Sequence, residues 1–193
     1  LEFGPTLHAY SVFVQDANGQ VAYSTPVLKF IQPTTDSTPY LGKPQVIPGR
    51  LLVSHYDEGG PQVAYVDNTP ENTADKTGTF RPGEHVDATP TVIGGVAAWE
   101  WLKYTVEVEA DGVYQATLRY GTPQRNLRPF LLLVDGVIAG KFAIPPHEFP
   151  DYRTDSDSVI ADIRLTAGRH VLTLISQASG ANIAYIDFAV VKP

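Results

Sequence analysis

Polar and apolar positions alternate along AAWEWLKYTVEV, residues 97–108. Side chains on a strand point to opposite faces in turn, so Leu102, Tyr104, Val106 and Val108 predict a core face. Trp99, Trp101, Lys103, Thr105 and Glu107 fall on the other, expected to be wet, and this face carries both tryptophans of the chain. The same period recurs in GVYQATLRY, where Tyr114, Ala116, Leu118 and Tyr120 alternate with Gln115, Thr117 and Arg119. FLLLVDGVIAGKFAI, residues 130–144, predicts a hairpin about Asp135-Gly136, and HVLTLIS and NIAYIDFAVV predict further strands. No stretch of ordinary helix length has a 3.6-residue period. Short strands at regular intervals, joined by Gly, Pro and Asp turns, predict an all-β chain built as a β-sandwich or jelly roll.

The pattern also divides the chain. In HAYSVFVQDANGQVAYSTPVLKFI, Tyr10, Val12 and Val14 predict one strand, and Val27, Leu28, Phe30 and Ile31 another, with Asn18-Gly19 as a hairpin turn. A lone hairpin is marginal in water, so residues 1–31 are expected to be the last strands of a larger domain. They resemble the end of an immunoglobulin-like or fibronectin-type repeat. Residues 32–46 open with QPTTDSTPYLGKP, rich in Pro and Thr and without periodicity, and read as a semi-rigid linker. Residues 47–193 form the second module.

Composition narrows the function. Hydrophobic residues make up 43% of the 193, enough for a core, and charged residues only 18%. The formal net charge of −7 argues against nucleic acid or an anionic membrane as partner. No apolar run approaches the ~20 residues that span a bilayer. With no cysteine there are no disulfides, thiol nucleophiles or cysteine–zinc sites, a usage that fits a secreted protein of the bacterial exterior.

The order of segments adds a resemblance. IPGRLLVSHYDEGGPQVAYVDNTPENTADKTGTFRPGEHVD precedes AAWEWLKYTVEVEADGVYQATLRY, and LLLVDGVIAGKFAIP, IRLTAGRHVLTLIS and GANIAYIDFAVV follow. Together these segments, over about residues 47–193, resemble the family 6 carbohydrate-binding modules. That resemblance implies a jelly-roll sandwich that binds polysaccharide without catalysis and is appended to a secreted glycoside hydrolase. In such modules a sugar lies between two aromatic rings and is hydrogen-bonded by an asparagine of the last strand. Pyranose C–H groups pack on a π-face while fixed polar groups take the hydroxyls. The asparagine motif matches Asn182-Ile183-Ala184-Tyr185, and the loop ring, counted back from Leu165, falls on Tyr152.

The other ring normally stands six residues before the tryptophan of a Gly-Glu/Asp-Trp motif, here Trp99-Glu100-Trp101. That position is Gly95, and the motif's glycine has become Trp99, which implies that Trp99 stands in for the missing ring. Trp101 occupies a position that the family fills with tryptophan, as scaffold or in a second cleft. Glu84 and Asp87, in RPGEHVD, correspond to a stretch near the cleft and are expected to bond sugar or loop backbone. A structural calcium is common in the family, but its ligand positions read Leu52, Ser54 and Ala184, so no cofactor is expected.

The resemblance thus implies Trp99, Tyr152, Asn182, Trp101 and Glu84 as carbohydrate-binding residues. The partners it implies are a polysaccharide or oligosaccharide and a catalytic domain in the same polypeptide. The glycan would be β-linked: xylan, β-glucan or a galactan such as agarose. The net charge disfavours a sulfated or uronate-rich chain unless Arg81, Arg125 and Lys103 form a basic patch. Two alternatives remain open: a structural or adhesive sandwich with a degenerate sugar site, and a small glycan-cleaving enzyme using Glu84, Asp87 or Glu100. The five histidines show no metal-ligand spacing.

Overall fold

The computed structural model describes residues 36–124, 128–144 and 151–191, together with four short strands between residues 7 and 30. β1 (Leu7–Tyr10) pairs antiparallel with β4 (Val27–Phe30), and β2 (Phe13–Gln15) with β3 (Val21–Tyr23). Four paired segments thus take the place of the two strands expected there. The Asn18-Gly19 turn lies outside the described residues.

From Asp36 onward the chain forms two facing sheets. One has the order β13 (Asp151–Leu165), β10 (Gly112–Thr122), β15 (Ala181–Val190) and β6 (Gly49–Leu52), with β8 (Ile93–Val96) also paired to β15. The other runs β12 (Val137–Phe142), β11 (Phe130–Val134), β14 (Gly168–Ser176), β9 (Trp101–Val108) and β5 (Gln45–Ile47), with β7 (Tyr65–Val66) paired to β9. The alternating residues of β9 and β10 meet between the sheets as expected. Tyr104 and Val106 join Tyr114, Ala116, Leu118, Ile183 and Phe188 in one buried cluster. The fold is a β-sandwich of jelly-roll type.

Two expectations change. The linker does not extend to residue 46. Ser37 Oγ donates to Asp57 Oδ2 at 2.7 Å, and the backbones of Thr38 and Glu58 exchange hydrogen bonds. Tyr40 stacks on His55 with ring centroids 4.4 Å apart, and β5 adds a parallel strand beside β9. Proline and threonine signalled the absence of periodicity, not the absence of packing.

The second change concerns the polar face of β9. Trp101, Lys103 and Thr105 are only 3%, 2% and 6% exposed. Trp101 packs with Leu131, Leu133, Ile175 and Val66 in a second apolar cluster. The Asp36–Pro39 strap shares a pocket with Lys103, Thr105 and Val171. Asp57 anchors this layer by accepting from the Thr105 amide at 2.7 Å and its hydroxyl at 2.8 Å. Burial pushes the Lys103 ammonium below its ordinary pKa, while Asp57 and Asp36 pull it back up.

Candidate functional site

Asn182 opens β15 and ties three segments together. Its Nδ2 donates to the Tyr152 carbonyl at 3.1 Å, and the Gly95 amide donates to its Oδ1 at 3.3 Å. A carbonyl on one side and an N–H on the other fix which way the amide points. An asparagine side chain has two N–H donors and two acceptor lone pairs. One of each is used among the described residues, which leaves one donor and one acceptor open there.

Tyr152 is 51% exposed near the start of β13. The polar run DYRTDSDS reads as a loop in sequence, yet among the described residues it is part of an edge strand, paired with β10. Charged and polar side chains suit an edge that faces water. Gly121 sets how closely this strand approaches. A Cβ there would run into the Arg153 carbonyl and lie 2.8 Å from the Tyr152 carbonyl carbon. Gly121 also pairs with Asn182 across β10 and β15, so it lies at the junction that carries both site residues. Sequence reasoning passed over this residue, although a glycine inside the alternating TLRYGT was its signal.

Trp99 is not on the strand. β9 begins at Trp101, and Trp99 sits in the preceding turn with φ +70° and 48% exposure. Its amide donates to the Ser176 carbonyl at 2.7 Å, and the Ala98 amide to Ser179 Oγ at 3.0 Å. The Gly180 amide donates to the Val96 carbonyl at 2.8 Å, which clamps this turn to the 177–180 turn just before Asn182. The buried Glu100 carboxylate holds the turn from beneath, accepting from the Ala97 amide at 2.7 Å and the Asn68 amide at 2.9 Å. Burial raises its pKa, and the backbone bonds work against that shift. The left-handed φ is a position that glycine fills without strain, and a tryptophan occupies it here at a cost of about 1–2 kcal/mol.

Gly95 shows why no ring stands at its position. It has φ +60°, and a Cβ would lie 2.6 Å from Asp87 Oδ2. Asp87 is 5% exposed, and its Oδ1 accepts from the Thr73 amide and, at 2.8 Å, from the Thr73 hydroxyl. The space of the expected side chain is therefore taken by a carboxylate.

The remaining candidates have other surroundings. The Glu84 carboxylate accepts from Arg81 Nε at 2.8 Å and from the Tyr56 hydroxyl. Arg81 also donates to the Tyr56 and Asp57 carbonyls and lies 3.6 Å from the Tyr56 ring centroid, so the pair staples the 67–92 loop to the core. Trp101, expected as scaffold or second-cleft ring, lies in the second apolar cluster described above. The conjectured basic patch does not form from the described residues: the Arg81 side chain is 4% exposed, Lys103 is buried, and Arg125 lies outside them. At the positions that correspond to the family's calcium ligands, Leu52 and Ala184 carry no side-chain oxygen, and the Ser54 hydroxyl donates to the Pro90 carbonyl at 2.9 Å.

Trp99, Asn182 and Tyr152 therefore gather at one end of the sandwich, with Asp87 behind Gly95. A scan of family models gives no match to the chain, and neither does a search of curated protein sequences. Solved structures do match. A family 6 carbohydrate-binding module from Clostridium stercorarium, in complex with cellobiose, superposes with a TM-score of 0.55 at 14% identity, covering 78% of this chain and 99% of its own. A β-1,3-glucan-binding family 6 module from Bacillus halodurans gives 0.53 at 13%, covering 77% and 100%. The chain has the fold of the family 6 carbohydrate-binding modules. A module of the Cellvibrio mixtus lichenase 5A in complex with cellotriose agrees, with a TM-score of 0.50 at 19% identity over 75% of this chain and 98% of that one. Within this family 6 fold, the exposed indole follows a clamped turn and the expected ring position is blocked by Asp87. Among the described residues no helix is long and apolar enough to cross a membrane.

Proposed function

We propose that this chain is a non-catalytic carbohydrate-binding module that holds a secreted polysaccharide-degrading enzyme on a β-linked glycan such as xylan, β-glucan or agarose. The observation that carries the reading is the arrangement about Asn182. Among the described residues its amide has one donor and one acceptor to spare, with exposed Tyr152 bonded to it through the backbone and exposed Trp99 on the adjoining turn. Rigid aromatic faces supply contact area at small entropic cost, and a fixed amide supplies direction. The ligands of structures sharing the fold, cellobiose, cellotriose and β-1,3-glucan, support this ligand class. One such site binds weakly, and tethering to a catalytic domain raises the local concentration of that domain at the polymer surface. A hydrolytic role is disfavoured because two of the three candidate carboxylates, Glu84 and Glu100, spend their oxygens holding loops, and Asp87 by itself does not make the pair that hydrolysis uses. Affinity electrophoresis of the full chain through xylan, β-glucans and agarose tests the proposal. Retardation by at least one polymer supports it; free migration through all of them refutes it in favour of a structural sandwich; and sugar release from a retarding polymer points to an enzyme.

A further inference from the structure

The contact between Gly95 and Asp87 bears on what the cleft selects, given the carbohydrate-binding reading above. Among the described residues the Asp87 carboxylate is held from one side, through Oδ1 and Thr73. Among the described residues no hydrogen bond reaches Oδ2, which points at the empty Cβ position of Gly95. The amide of that same glycine bonds Asn182 Oδ1. The free carboxylate oxygen and the open donor and acceptor of Asn182 therefore border one residue. The residue is only 5% exposed, yet Oδ2 itself is not sealed, since among the described residues Thr173 Oγ1 is the buried side-chain atom left without a partner. Oδ2 is therefore an acceptor that an incoming hydroxyl can reach.

We infer that Asp87 is a specificity-determining residue of this cleft. A stacking ring accepts any pyranose face, whereas a fixed carboxylate oxygen accepts only from donors. Asp87 Oδ2 takes the place of the second ring and receives hydroxyl protons from the bound sugar, while Asn182 satisfies a neighbouring oxygen. The ligand is then a neutral glycan whose residue in the cleft has free hydroxyls. A uronate at that position sets one carboxylate against another away from bulk water, and repulsion excludes it. A sugar substituted at those hydroxyls leaves Oδ2 unpaired and is also rejected.

The test is isothermal titration of the full chain with cellohexaose, xylohexaose, laminarihexaose, neoagarohexaose and hexagalacturonate, using the unmodified protein, Asp87→Asn and Trp99→Ala. Asparagine keeps an oxygen for Thr73 and turns the free acceptor into a donor, and the thermal midpoint checks that the loop is intact. Expected is binding of a neutral oligosaccharide and none of hexagalacturonate by the unmodified chain. Asp87→Asn should then weaken the neutral ligand roughly ten- to a hundredfold. Equal affinity of the unmodified chain for hexagalacturonate and a neutral oligomer overturns the inference, and this comparison needs no variant to fold. If Trp99→Ala loses binding while Asp87→Asn binds as the unmodified chain does, carbohydrate binding stands and the role of Asp87 falls. If no oligosaccharide binds the unmodified chain, both fall.

Discussion

Replacing Trp99 by glycine and by alanine separates its backbone from its ring. Both variants remove the indole, so both should lose glycan retention. Their stabilities should differ in the reverse of the usual order. At φ +70° a residue with a Cβ carries about 1–2 kcal/mol of strain that glycine does not. The greater freedom of glycine in the unfolded chain takes back about 0.5–1 kcal/mol. The balance favours Trp99→Gly over Trp99→Ala by about 0.5–1 kcal/mol, a midpoint difference of about 1–4 °C for a domain of this size. The loss of the half-buried ring is common to both and cancels. Urea unfolding measures the stability difference, and affinity electrophoresis on a retarding glycan measures the shared loss of binding. If Trp99→Ala is as stable as Trp99→Gly, the left-handed turn is wrong. If either variant binds as the unmodified chain does, Trp99 is not part of the sugar platform.

Gly121→Ala should move the start of β13 away from Asn182, because its Cβ has no room against the Arg153 carbonyl. Weaker glycan binding with a loss of about 1–3 kcal/mol in urea unfolding is expected, and unchanged affinity would contradict the role given to Gly121. Asp57→Ala strips partners from the buried Thr105 amide and hydroxyl and from Ser37, and removes the larger of the two carboxylate contributions that favour the Lys103 charge. It should cost about 3–5 kcal/mol in urea unfolding, and a loss below 1 kcal/mol would show that the strap is not anchored there. The His170 ring donates from Nδ1 to Asp135 Oδ2 at 2.6 Å and from Nε2 to the Thr166 carbonyl at 3.0 Å, contacts that favour the imidazolium. The Asp135 hydrogen bond raises its folded pKa. The resulting stability is complete below the ordinary histidine value of about 6.5 and is lost as pH rises through the raised value. Unfolding at about pH 5.5 and about pH 8.5 should therefore show the larger destabilisation by His170→Ala at the lower pH, and an equal effect at both would refute the pairing.

The inner faces of the sandwich were legible because alternation reports one-sided burial directly, as Tyr104 and Val106 or Leu118 and Tyr120 do. The outer face of β9 was not. Lys103 and Thr105 mark a wet face only while nothing lies over it, and Asp36–Pro39, a segment whose composition gave no sign of packing, lines a pocket with them. Trp99 was misplaced for a different reason. Alternation assumes extended backbone, and the chain turns left-handed two residues before β9 begins. The polar run DYRTDSDS suits a loop as well as it suits an edge strand, which need not be apolar. The resemblance to family 6 modules implies Asn182, Tyr152 and Trp99, but their grouping depends on contacts across β8, β10, β13 and β15. The filled space at Gly95 depends on Asp87, eight positions earlier, meeting it through the fold.

The two tryptophans permit a direct test of the central claim. Trp99 is 48% exposed and Trp101 only 3%, so acrylamide should quench the fluorescence of Trp99 and spare that of Trp101. With a saturating oligosaccharide from whichever glycan retards the chain, the account predicts that the quenchable fraction disappears, and that Asn182→Ala abolishes this protection without changing quenching of the free protein. Quenching that is the same with and without a bound oligosaccharide would place the sugar elsewhere and contradict the account.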